Sequence, residues 1–158
     1  MTGQRVIGID PGPTTGIVVL GGPDPLAIQS NAAAAPVVLA GLLSLDTSPV
    51  LVQIEAFVVG RTSMRAGHHG VLTRELIEQL RHVWETHDSG PAGRLGGRWL
   101  QRSAGNVKPW ATELRLASAG LLEPTKGMPH ARDAARHALF AAVRDGGHPD
   151  PLSKRRTP

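Results

Sequence analysis

The sequence contains no cysteine. That excludes disulfides, zinc–thiolate sites and a thiol nucleophile together, and it fits a reducing compartment. Aromatic residues are scarce, at 3%, so a core has to be built from Ala, Val, Leu and Ile. No apolar run approaches the roughly 18 residues needed to cross a bilayer. The opening MTGQR lacks the apolar stretch of a secretory signal. A soluble, intracellular protein is the expectation.

What is present points to an ordinary globular chain. Its 158 residues suit one domain, expected over residues 1–147, and 41% of them are hydrophobic. The remainder, 148–158, is Pro-rich and basic and is expected to be a disordered tail. The formal charge is +4 and the pI about 10.6. A basic balance suits a polyanionic partner such as nucleic acid. An Arg-, Ala-, Gly- and Pro-rich composition would also follow from a GC-rich genome, so charge needs a site to go with it.

Val- and Ile-rich stretches at 5–10, 16–20 and 26–30, joined by short Gly/Pro turns, predict a three-strand meander. Apolar residues at helical spacing predict a helix over 34–45, and VLVQIEAF over 50–57 is a strong strand. A long helix follows at 71–87, with Leu72, Leu76, Leu80, Val83 and Trp84 on one stripe. A strand over 98–103, a helix from about 109 to 120 and a helix over 130–145 complete the order. This succession predicts an α/β fold: a mixed central sheet, the meander plus parallel strands, with helices on both faces.

Two of the strands end at carboxylates, Asp10 and Glu55. If those strands are adjacent and parallel, the acids converge at one edge of the sheet, where α/β proteins place their sites. Clustered carboxylates repel one another and stay ionised together when cations neutralise them. Their oxygens suit magnesium or manganese. On the last helix His130 and Asp133 share a face near its start, and His137 lies on the same side. The opposing stripe of Ala134, Ala135, Ala138, Leu139 and Ala142 would let the helix lie close on the sheet and bring His130 and Asp133 to the acids. Each residue also has a plainer reading: an Asx-turn for Asp10, a strand end for Glu55, a favourable helix dipole for Asp133, a cap for His130 and a solvated surface for His137.

The segment IGIDPGPTTG resembles the first motif of the RuvC-type Holliday junction resolvases, in the RNase H-like nuclease superfamily. VQIEAF resembles their second motif, and HARDAARHAL their last. The order of elements matches over roughly residues 4–145. The resemblance implies an RNase H-like fold and a metal-binding catalytic set of Asp10, Glu55, His130 and Asp133. It implies that Lys108 stabilises charge near the scissile phosphate or holds DNA, and that Phe57 sits where family members insert an aromatic near the junction centre. The helix over 71–87 falls where the family places its dimer helix, which implies a homodimer. The chain departs from the pattern by an Arg-rich GRTSMRAGHH and by PWATELRLASAG, which lacks a glycine–lysine pairing. Its compact, Arg-rich form resembles a phage-encoded relative, at home in the cytoplasm of a bacterial cell or infected host.

The implied activity is hydrolysis of phosphodiesters in branched DNA, the four-way junction favoured, by paired symmetric nicks that leave 5′-phosphate ends. Two divalent cations, Mg2+ or Mn2+, roughly 3.5–4 Å apart, supply both an activated water and a stabilised leaving group. Asp10 is the best bridging ligand, and His130 serves as ligand or as acid/base. Arg61, Arg65 and Lys108, on loops at the site's edge, are the expected phosphate contacts. Recombination, repair and branch removal before genome packaging are all compatible roles. The alternatives are a nuclease of the same fold acting on flaps, forks or RNA, and a DNA-binding module without catalysis.

Overall fold

Period-two alternation along the strands decides which residues meet which helices. In a computed structural model that describes residues 4–45, 48–58, 67–88 and 96–153, β1 (Arg5–Asp10) pairs antiparallel with β2 (Thr14–Leu20), and β2 pairs antiparallel with β3 (Leu26–Asn31). On its other side β1 runs parallel to β4 (Val50–Glu55), and β4 parallel to β5 (Arg98–Arg102). The five-stranded order is β3-β2-β1-β4-β5, with β1 central. The predicted mixed sheet is therefore present.

Helix α1 (Ala35–Ser44) and helix α2 (Gly67–Asp88) cover one face. Ile7, Ile9, Ile17, Val52 and Ile54 point to them and pack on Leu39, Leu43, Leu76 and Leu80. Leu76 and Leu80 are buried, and Val83 and Trp84 pack against the same core. Most of the α2 stripe is thus internal, while Leu72, at 46% exposure, and its neighbour Val71, at 50%, remain outside the core.

The short helices α3 (Ala104–Val107) and α4 (Glu113–Ser118) lead to α5 (Pro129–Arg144), which covers the other face. The helix expected from about 109 to 120 is shorter, α4 alone, and α3 lies before it. Thr112 adopts an extended conformation (ψ 162°), and its side chain accepts a hydrogen bond from the Arg115 N–H, so a new helix is capped there. Helix α5 presents Ala131, Ala134, Ala135, Ala138, Ala141 and Ala142 to Val6, Val18 and Leu51. From residue 148, where the tail is expected to begin, the chain is held as far as Ser153. His148 Nε2 lies 2.9 Å from the Gln4 carbonyl, and Arg115 pairs with Asp150. No described helix is long and apolar enough to cross a membrane.

Candidate active site

Two strand glycines set how closely α5 approaches. A Cβ on Gly8 would fall 2.2 Å from the Ala134 carbonyl oxygen, and one on Gly16 would fall 2.1 Å from that of His130. No other residue fits at either position without moving the helix. Gly16 is the cross-strand partner of Asp10. The backbone of His130 therefore lies over Gly16, and its imidazole Nδ1 sits 2.9 Å from Asp10 Oδ2. The start of α5 is fixed a second time. Pro129 has no N–H, and the N–H groups of His130 and Ala131 both donate to Gln29 Oε1 on β3. Asp10 thus engages a histidine from the far end of the chain rather than its own turn.

Glu55 follows the same logic one strand over. Ile9 pairs with Ile54 in the parallel register, so Asp10 and Glu55 end their strands side by side. Leu51, Gln53 and Glu55 alternate toward α5. Glu55 Oε2 is met at 3.1 Å by Nε2 of His137, which is fully buried. His137 Nδ1 lies 3.2 Å from Gln53 Nε2, and Gln53 is also fully buried. Arg102 donates to Gln53 Oε1 and grips Asp145 with two further hydrogen bonds of 2.8 and 3.1 Å.

Asp133 is one turn along α5 from His130. Lys108 Nζ approaches its Oδ2 at 2.8 Å, and Arg136 donates to its Oδ1 at 2.8 Å. Arg136 is held in turn by Glu113 and the Ala111 carbonyl. Burial would raise the Asp133 pKa, but the hydrogen bonds and charges of Lys108 and Arg136 lower it below the ordinary carboxylate value. Burial opposes the Lys108 ammonium, yet Asp133, with Glu55 and Asp10 behind it, raises its pKa.

Asp10 is the outlier. Burial pushes its carboxyl up to about 6, the His130 hydrogen bond pulls it down, and the charges of Glu55 and Asp133 push it up again. Asp10 therefore feels the charges of both other carboxylates, a repulsion that a bound cation would relieve. Their hard oxygens are the right donors for Mg2+ or Mn2+. As the side chains stand, among the described residues no group of three His, Asp or Glu is arranged to hold a metal ion. The physical reason is visible. Each acid has a base of the chain beside it, His130 for Asp10, His137 for Glu55, and Lys108 with Arg136 for Asp133.

Phe57 lies at the edge of this region but is half-buried. It packs on the α2-side core, and the Arg74 guanidinium sits 4.9 Å from its ring centroid. It lines a recess of about 440 Å3 with Pro11, Glu55, Val58, Thr73 and Ser103. Arg61 and Arg65 lie outside the described residues. Gln53 and Arg136 carry no signal in the sequence that marks them for the site, and His137, on the side of α5 that bears His130 and Asp133, reads there as a solvated residue.

No protein-family model and no curated protein matches the sequence. Among solved structures the chain is similar to RuvC of T. thermophilus in complex with a Holliday junction substrate. The TM-score is 0.64 at 16% identity, over 88% of this chain and 92% of that one. The fold is RNase H-like. The RuvC-like arrangement of strands accounts for why Asp10 and Glu55, separated in sequence by a helix and two strands, finish next to each other.

Proposed function

We propose that the protein is a metal-dependent endonuclease that cuts branched DNA, with the four-way junction as favoured substrate. The observation that carries this is the placement of Asp10 beside Glu55 at the end of the parallel strands, with Asp133 near enough for its charge to act on the buried Asp10, whose carboxyl is pushed up to about 6. The RuvC neighbour was captured on a Holliday junction, and this chain shares its fold. The basic charge of the chain suits DNA as a partner.

Divalent cations held there would supply an activated water and neutralise the charge developing on the phosphate. Asp10 would be the central ligand, with Glu55 and Asp133 on either side of it. His130, hydrogen-bonded to Asp10 and 45% exposed, would serve as a further ligand or move a proton at the site's open side. Lys108 would exchange Asp133 for a phosphate oxygen of the DNA. Arg61 and Arg65 would add phosphate contacts. A homodimer would present two sites to the two-fold symmetric junction. Val71 and Leu72 at the start of α2 are the apolar surface that favours this helix as its seam.

One observation favours a second reading. Each acid already has a base beside it, as a DNA-binding module without catalysis would also allow. The deciding experiment is cleavage of labelled four-way, fork, flap and duplex DNA, and of RNA, with Mg2+ or Mn2+, wild type beside Asp10→Asn. Symmetric nicks on the junction, lost in the variant while binding persists, carry the resolvase reading. Cleavage confined to flaps, forks or RNA would move the substrate, and binding with no cleavage would leave the module.

A further inference from the structure

The chain of contacts behind Glu55 admits one pattern of donors and acceptors. A guanidinium only donates. Arg102 donates to one end of the Gln53 side-chain amide, so that end is the carbonyl oxygen and the other is the NH2. The NH2 faces His137 Nδ1 at 3.2 Å, so Nδ1 accepts. The imidazole proton is then on Nε2, which faces Glu55 Oε2 at 3.1 Å and donates to it. Asp145 anchors the far end by two hydrogen bonds to Arg102.

The placement is not the simplest one available. Arg102 is the cross-strand partner of Glu55 on β5. A direct ion pair between them would occupy the glutamate with a permanent cation. Instead Arg102 turns to Asp145 and Gln53, and Glu55 receives one N–H from a histidine. Gln53 and His137 are both fully buried, where a polar side chain is costly unless its partners are in place.

We propose that His137 is a positioning residue. The relay Asp145–Arg102–Gln53–His137 fixes its tautomer and aims its Nε2–H at Oε2 of Glu55, which holds the carboxylate toward the site and leaves Oε1 for a cation. This rests on the nuclease reading for its purpose, though not for its geometry. Partners behind a ligand of this kind typically change metal affinity or activity by about 10- to 100-fold.

The first arm is an NMR long-range correlation on the full chain with 15N-labelled histidine, free of metal, the His137 signals being assigned by their loss in His137→Gln. The relay requires the proton on Nε2 and a bare Nδ1; a proton on Nδ1 overturns it. The second arm titrates Mn2+, followed by its electron paramagnetic resonance, and measures kcat and junction Kd separately. His137→Phe should lose about 10- to 100-fold in Mn2+ affinity and in kcat at unchanged junction Kd. His137→Gln, which offers an N–H at similar reach, should recover most of both. A folded His137→Phe protein with wild-type Mn2+ affinity and kcat overturns the proposal. Should that variant fail to fold, the tautomer in the wild type decides. A wild type that cuts no branched DNA sinks the nuclease reading instead, and the tautomer still tests the relay.

Discussion

Asp10 and His130 stand 120 residues apart in the chain and 2.9 Å apart in space. The contact exists because Gly16, opposite Asp10, has no side chain to hold α5 away. Asp10 is therefore the acid placed most deeply in the site, and its oxygens are the hardest to replace. Asp10→Asn keeps the shape and removes the charge. Cleavage of a four-way junction in Mg2+ is expected to fall by roughly 100-fold or more, the scale of losing one preorganised electrostatic group. Junction affinity in a gel-shift assay should be retained. Cleavage near the wild-type rate would remove Asp10 from the mechanism.

The same carboxylate makes a statement about stability. Its pKa is about 6 in the folded chain against 3.8 ordinarily. A raised value means that the folded state prefers the protonated form. The contribution is fully present below about pH 3.8 and is lost as pH rises through about 6. The side chain is only 12% exposed, so the full penalty above pH 6 is of the order of 2–3 kcal/mol. In EDTA, Asp10→Asn should match the wild type near pH 4 and be more stable near pH 7. Divalent cation should narrow that gap by stabilising the wild type alone. Parallel melting curves at both pH values would rule the account out.

The strand-end acids are legible in the sequence because alternation is a local property. VIGID and VQIE each carry an apolar run to a carboxylate, and the register then sets Asp10 beside Glu55. The small-residue stripe of α5 is legible for the same reason. Its counterpart, the glycines on β1 and β2, is not, because a glycine in a strand announces a close approach only once the helix is in place. His137 escaped because a histidine on an otherwise amphipathic helix reads as solvated, and its burial depends on Gln53 and Glu55, some 80 residues away in the chain. The stripe on α2 is ambiguous in another way. Leu76 and Leu80 fill the core beneath α1, and no count of apolar residues says which of two surfaces a helix will bury.

The glycine argument is itself testable. Gly16→Ala places a methyl 2.1 Å from the His130 carbonyl oxygen, so the helix start must shift. The expected cost is about 1–3 kcal/mol in chemical denaturation, the usual range for overpacking. Cleavage should fall further than stability explains, because His130 and Asp133 move together away from Asp10. Gly41→Ala, where a Cβ meets nothing within 4 Å, is the control and should be neutral or slightly stabilising. Equal stability of the two variants would show that α5 has slack that these distances deny.

Of the pairs around the site acids, Lys108 and Asp133 form the one most open to solvent, at 41% and 28% side-chain exposure. Its worth to folding is correspondingly small, about 0.2–1 kcal/mol in a double-mutant cycle of Lys108→Met with Asp133→Asn. The pH window follows from the signs. Asp133 has a lowered pKa, so its share is present above the ordinary carboxylate value and is lost as the solution is acidified past it. Lys108 has a raised pKa, so its share is lost only on the alkaline side, above 10.5. Between these limits the pair is intact, and the effect of Lys108→Met should be felt on DNA rather than on the fold. Junction binding is expected to weaken for all arm sequences alike, with the slope of log K against log salt reduced by about one, as for one lost phosphate contact. An unchanged salt slope would mean that Lys108 stays with Asp133 when DNA binds and serves only to neutralise it.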